Sequence, residues 1–126
     1  MKEVIAIVRM NRMNQTKKAL VEAGITSMTA KEVLGRGKGI VDFSLLKGAE
    51  KGFEEAITQL GDSSRLIPKR MISIVVPDGL VEKVVSTLIR VNRTGKSGDG
   101  RIFVLQAKES IRIRTGERGE AVLDEV

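Results

Sequence analysis

An α+β domain built from two β-α-β halves is the architecture this sequence predicts, and three observations carry the expectation. Four short stretches rich in Val, Ile and other apolar residues are spaced along the chain as strands would be. Stretches with helical spacing lie between the first and second of them and between the third and fourth. Glycine or proline punctuates the junctions.

In order, Val4 to Val8 is a continuous apolar run and reads as the first strand. Asn11 and Asn14 follow as candidate N-caps of a helix expected to run to Ala23 and stop at Gly24. Ser27 to Leu34 reads as the second strand, ending in Gly35-Arg36-Gly37-Lys38-Gly39. After a long segment, Met71 to Val76 gives the third strand, and Pro77-Asp78 opens a helix from Leu80 to Val91. Ile102 to Leu105 is the fourth strand. This is the order of a ferredoxin-like double βαβ domain, with a four-stranded antiparallel sheet and a long loop between strands 2 and 3. The halves share a plan, but their residue identity is too weak to prove an internal repeat.

Val4-Ile5-Ala6-Ile7-Val8, Ile74-Val75-Val76 and Ile102-Phe103-Val104-Leu105 are apolar on successive residues, hence on both faces of the sheet. Two helices cover only one face. The other is expected to be buried by the same face of sister subunits; folding of residues 40 to 66 or of the tail across it is the alternative.

The length of 126 residues suits one domain. With no apolar run of membrane-spanning length and no signal-peptide pattern, a soluble, cytoplasmic protein without membrane insertion is expected. The absence of Cys and His excludes cysteine nucleophiles, histidine bases and the usual zinc sites. Carboxylate, Lys and Ser chemistries remain, and the expectation is a protein that is not an enzyme. A net charge of +6 suggests an anionic partner. Three Phe with no Tyr or Trp make a poor stacking platform, so nucleic acid is not expected; nucleotide or carboxylate ligands fit better.

Residues 94 to 104 read TGKSGDGRIFV. Gly95-Lys96-Ser97 has the look of a Walker A ending, but Arg90 stands where that motif needs its first glycine, and the order is helix, loop, strand. What remains is Gly95, Gly98 and Gly100 around Asp99, followed by Arg101: backbone N–H groups with a cation at the exit, suited to an anion, or else a tight turn with a solvated charge. Arg112 and Arg114 alternate with Ile111 and Ile113, as a surface strand or as two same-side guanidiniums for a ligand. Within the long segment, Ala49, Phe53, Ala56, Ile57 and Leu60 form an amphipathic helix pattern over Gly48 to Leu60, serving either a partner or the domain itself.

Several motifs in order, GITSMTAKEVLGRG at 24–37, IVVPD at 74–78, TGKSGDGRIFV at 94–104 and IRIRTGERG at 111–119, resemble the P-II signal-transduction proteins. The resemblance implies one P-II-like domain over residues 1–126, with a target-binding loop at about 37–67 and a C-terminal segment at about 108–126. It implies a homotrimer-like ring with ATP or ADP, magnesium possible, in clefts between neighbours, and 2-oxoglutarate as effector. Thr29, Gly37, Lys38, Val75, Gly98, Asp99, Gly100 and Arg101 match nucleotide positions, and Arg112 and Arg114 match the pair that reaches the phosphates from the adjoining subunit. Lys69, with Lys38, matches the 2-oxoglutarate site.

The chain also departs from the family. Gly39 replaces the usual magnesium-holding Gln, Arg101 replaces a Lys, there is no Tyr for uridylylation, and the target loop is longer than the common form. Val41-Asp42-Phe43 and Leu66 to Met71 look like the nitrogenase-associated branch, in which paired P-II-like chains inhibit nitrogenase and ATP with 2-oxoglutarate relieves the inhibition. The resemblance then implies a mixed ring with a paralogous chain and nitrogenase as target; the Phe53, Ile57 and Leu60 stripe of the loop helix is assigned to partner contact in preference to the domain's own core. A general P-II regulator of an ammonium transporter or another nitrogen enzyme is the alternative.

Overall fold

The computed structural model describes residues 1–37 and 66–123. Lys38, Phe53, Ile57 and Leu60, with the expected loop helix, lie outside the described residues.

Strand β1 (Lys2–Arg9) leads through a 3-10 turn (Met10–Arg12) into helix α1 (Met13–Glu22), then strand β2 (Thr29–Gly35). Strand β3 (Ile67–Val76), a 3-10 turn (Asp78–Leu80), helix α2 (Val81–Asn92) and strand β4 (Arg101–Gln106) repeat the plan. The sheet is antiparallel in the order β2-β3-β1-β4, the ferredoxin-like α+β arrangement the sequence predicts.

Two local expectations need correction. Asn11 and Asn14 do not cap α1; the N-cap position is Arg12, with no side-chain cap bond. A capping side chain needs extended backbone, whereas the preceding 3-10 turn has already placed Arg12 at φ −102°, ψ −4°. The strands also run further than their apolar runs, because ladder pairing continues through polar residues such as Arg9↔Lys69. The stop at Gly24 holds for a definite reason: at φ +86° its N–H donates to the Val21 carbonyl at 2.9 Å, and that of Ile25 to Leu20 at 2.8 Å. That pair of bonds is a Schellman motif, and Ile25 is buried behind it.

Val4, Ala6, Val8, Ile72, Ile74 and Val76 point to the helices and pack with Leu20, Val84 and Leu88. Between the helices the buried Asn92 Nδ2 donates to Thr16 Oγ1 at 3.1 Å and to the Leu88 carbonyl at 2.9 Å, while the Thr16 hydroxyl donates to the Arg12 carbonyl at 2.7 Å.

The opposite face carries side chains in rows set by register: Thr29, Ser73, Ile5 and Phe103 in one, Lys31, Met71, Ile7 and Arg101 in the next. Among the described residues no helix covers this face; Phe103 and Leu105 stay 44% and 45% exposed. The tail reaches one corner of it, where Val122 and Leu123 line a cleft with Thr29, Ser73 and Val75. Among the described residues no helix is long and apolar enough to cross a membrane.

Candidate functional site

One carboxylate shapes the loop of residues 94–100 between α2 and β4. Asp99 Oδ1 accepts from Arg9 Nη1 at 2.6 Å and from the Thr94 hydroxyl. Its Oδ2 accepts from the amides of Thr94 at 2.8 Å and Gly95 at 3.0 Å. The Thr94 hydroxyl and amide, helped by Arg9 and Gly95, hold the Asp99 carboxyl well below the usual carboxylate range despite partial desolvation. Gly100 is required by contact as well as conformation: at φ +116° a Cβ there would stand 2.0 Å from the Ile7 carbonyl oxygen.

The loop lies over the open face. Arg9 Nη2 donates to the Ser97 carbonyl at 3.0 Å, and the buried Lys69 Nζ donates to the Gly98 carbonyl at 3.3 Å. Among the described residues the amides of Ser97 and Gly98 meet no acceptor, so they are available to an anion.

A cleft of about 400 Å³ beside the loop is lined by Arg9, Lys69, Ser97 and Gly98 among others, and two more open on this same face. One, of about 410 Å³, is lined by Ile7, Gly35, Arg36, Gly37, Lys69 and Arg101, three cations and, among the described residues, no carboxylate. The other, of about 280 Å³, is lined by Thr29, Ser73 and Val75 among others. There Ser73 Oγ donates to Glu3 at 2.6 Å, which leaves its lone pairs for a donor. Ser73 and Lys69 are four residues apart on β3, roughly 13 Å at about 3.3 Å per residue.

Gly37, Lys69 and Arg101 thus come together, Gly98, Asp99 and Gly100 form the adjoining loop, and Thr29 and Val75 share the second cleft. Arg112 and Arg114 line neither. The surface-strand reading of Ile111 to Arg114 is corrected: only Ile111 bridges, to Arg118, and residues 112–116 form a turn closed by Gly116 N–H to the Arg112 carbonyl at 2.7 Å. The segment folds back on itself, with Arg112 N–H donating to the Glu117 carbonyl at 2.9 Å, so a short hairpin takes the place of a longer surface strand. Arg112 instead pairs with Glu117 at 3.3 Å. Ile113 stands fully exposed between the two arginines.

As a magnesium ligand Asp99 does not fit, since four donors already occupy its carboxylate, and among the described residues no group of acidic side chains could hold a metal. For a polyphosphate the donor set does fit: Arg36, Lys69, Arg101 and free loop amides, all donors.

The family profile described as "Nitrogen regulatory protein P-II" matches residues 1–117. The chain belongs to the P-II family. The "Nitrogen fixation nifHD region GlnB-like protein 2" of Methanothermococcus thermolithotrophicus is 48% identical to this P-II chain over 127 residues, covering 98% of each. The protein of that description from Methanobacterium ivanovii is 46% identical over 125 residues, covering 95% of this chain and 97% of its own. "Nitrogen regulatory protein P-II 1" of Escherichia coli (strain K12) is 41% identical over 123 residues, covering 98% and 100%. As a P-II chain with such relatives, it is a nitrogen-regulatory protein.

Within this P-II subunit, sequence reasoning missed Arg9, Thr94 and the Ser73–Glu3 pair. Arg9 sits in no ligand motif; its only signal is strand parity with Ile5 and Ile7, and the register that sets it opposite Lys69 is a tertiary fact. Thr94 was inside the quoted motif, but nothing local marks it as Asp99's partner.

Proposed function

We propose that this protein is a non-catalytic nitrogen-regulatory switch that binds ATP or ADP through the loop of residues 94–100, senses 2-oxoglutarate at Lys69, and regulates nitrogenase by protein contact through its extended loop. The observation that carries the reading is that Lys69 stands at the junction of two features: it lines, with Arg36 and Arg101, a cleft with no carboxylate among the described residues, and it grips the Gly98 carbonyl of the adjoining loop. Phosphate oxygens suit that donor set, and the smaller cleft at Thr29, Ser73 and Val75, near the low end of ligand-pocket sizes, suits a base. Arg112 and Arg114, carried on a hairpin and lining neither cleft, are available to a neighbouring subunit's phosphates. This supports a ring, as a homotrimer or with a paralogous chain, whose clefts are completed across subunits.

The names of the archaeal relatives, which refer to a nitrogen fixation region, favour nitrogenase over an ammonium transporter as target. Regulation requires each ligand to prefer one state of the target-binding loop. Magnesium, when bound, would offset phosphate charge; the nucleotide's own oxygens are its natural ligands here, since Asp99 is engaged inside the loop.

Calorimetric titration of ATP into the wild type and Arg101→Ala tests the site. A loss of roughly ten- to a hundredfold in affinity is expected from removing a charge-assisted contact. Equal affinities would remove Arg101 from the site. Co-purification with nitrogenase and the paralogue, with and without 2-oxoglutarate, tests the target: ligand-independent absence of both would overturn it.

A further inference from the structure

We infer that Arg9 is the positioning residue of the phosphate-receiving loop, acting through Asp99 and not on the ligand. The inference rests on the nucleotide reading above. Arg9 ends β1 on the open face at the edge of the cleft it lines with Lys69, Ser97 and Gly98, with its side chain about a quarter exposed, 26%, and both arms of its guanidinium engaged by the loop. Nη1 reaches Asp99 at 2.6 Å and Nη2 reaches the Ser97 carbonyl at 3.0 Å. Gly98, between those two residues, lies so close that a Cβ on it would be 3.3 Å from Nη2.

The carboxylate that Arg9 holds is the one that gathers Thr94 and Gly95. A single strut therefore runs from the end of β1 through Asp99 to the start of the loop. Lys69, directly opposite Arg9 in the ladder, grips Gly98 from β3. Three consecutive residues, Ser97, Gly98 and Asp99, are held from two adjacent strands, with the amides of Ser97 and Gly98 left for an anion. A loop ordered beforehand avoids an ordering cost at the moment of binding, so the strut raises affinity without touching the ligand. The planar fork matters, because a lysine ammonium cannot reach two divergent oxygens in fixed geometry.

A double-mutant cycle on the assembled protein separates positioning from contact. ATP affinity is measured for the wild type, Arg9→Ala, Arg9→Lys, Asp99→Asn and Arg9→Ala with Asp99→Asn, alongside melting curves and hydrogen exchange of residues 94–100. The expected result is roughly a tenfold loss for Arg9→Ala, incomplete recovery with Arg9→Lys, and little further loss when Arg9→Ala is added to Asp99→Asn. Exchange in the loop should quicken in Arg9→Lys while its melting temperature stays near that of the wild type; if Arg9→Ala does not fold, this variant and Arg9→Gln decide. Losses that multiply in the double variant would make Arg9 an independent ligand contact and overturn the inference. So would wild-type affinity in Arg9→Ala or full recovery in Arg9→Lys, with ATP binding itself intact. Absence of ATP binding by the wild type would overturn the nucleotide reading and the inference together.

Discussion

Gly100 illustrates how little latitude the site leaves at single positions. Its φ of +116° and the 2.0 Å approach of the Ile7 carbonyl to any added Cβ act together, so Gly100→Ala must move the loop away from β1. We expect a destabilisation on the order of 1–3 kcal/mol from the backbone alone, with ATP binding reduced more than in Arg101→Ala; calorimetry and thermal melts check both. Asp99 offers a second test. Its folded value is depressed, chiefly by the Thr94 hydroxyl and then the Thr94 amide, so its contribution to loop stability is complete above the ordinary carboxylate range. That contribution disappears only as pH falls through the depressed value. Acidification from pH 7 to pH 5 should therefore leave the loop intact, and a side-chain carbon titration should show the Asp99 midpoint well below that of exposed Asp residues. An ordinary midpoint would contradict the four-donor arrangement.

Among the elements, the two helices depend on a polar contact as well as on their apolar stripe. Thr16 and Asn92 are both buried, and Asn92 bridges α1 to the last turn of α2. Asn92→Ala leaves the Thr16 oxygen without a donor and should cost about 1–3 kcal/mol in denaturant unfolding; a change within error would show the link to be incidental. The beginnings and ends of these helices differ in how readable they were. Gly24 signalled a C-terminus correctly, because the left-handed residue that a Schellman turn needs is itself a glycine signature. The N-terminus of α1 was misread, because a 3-10 turn replaces the capping side chain and leaves no residue-type mark. The segment of residues 111–114 was ambiguous for a related reason: alternation does not mark where a chain turns back, and here the segment pairs with Glu117 and Arg118 across its own turn.

At the scale of the whole molecule, the open face is the feature that asks for a partner. Phe103 and Leu105 are nearly half exposed beside Ile5 and Glu3, and among the described residues no helix packs there. In light-scattering chromatography the wild type should elute as an oligomer, and Phe103→Glu should shift it towards monomer while the helix-side core, which Phe103 does not touch, keeps its circular dichroism. A wild-type monomer at micromolar concentration would overturn the ring. The two-sided apolar strands that foretold this face were legible in the sequence, since residues on successive positions of a strand must point to opposite sides. So were the order of elements, the class of fold and the glycine loop, each encoded within a short stretch of chain. Tertiary structure alone decided that Arg9, Lys69 and Arg101 share one face and that Asp99 turns inward to Thr94. Those relations depend on strand register, and a slip of one residue would send every one of these side chains to the other side.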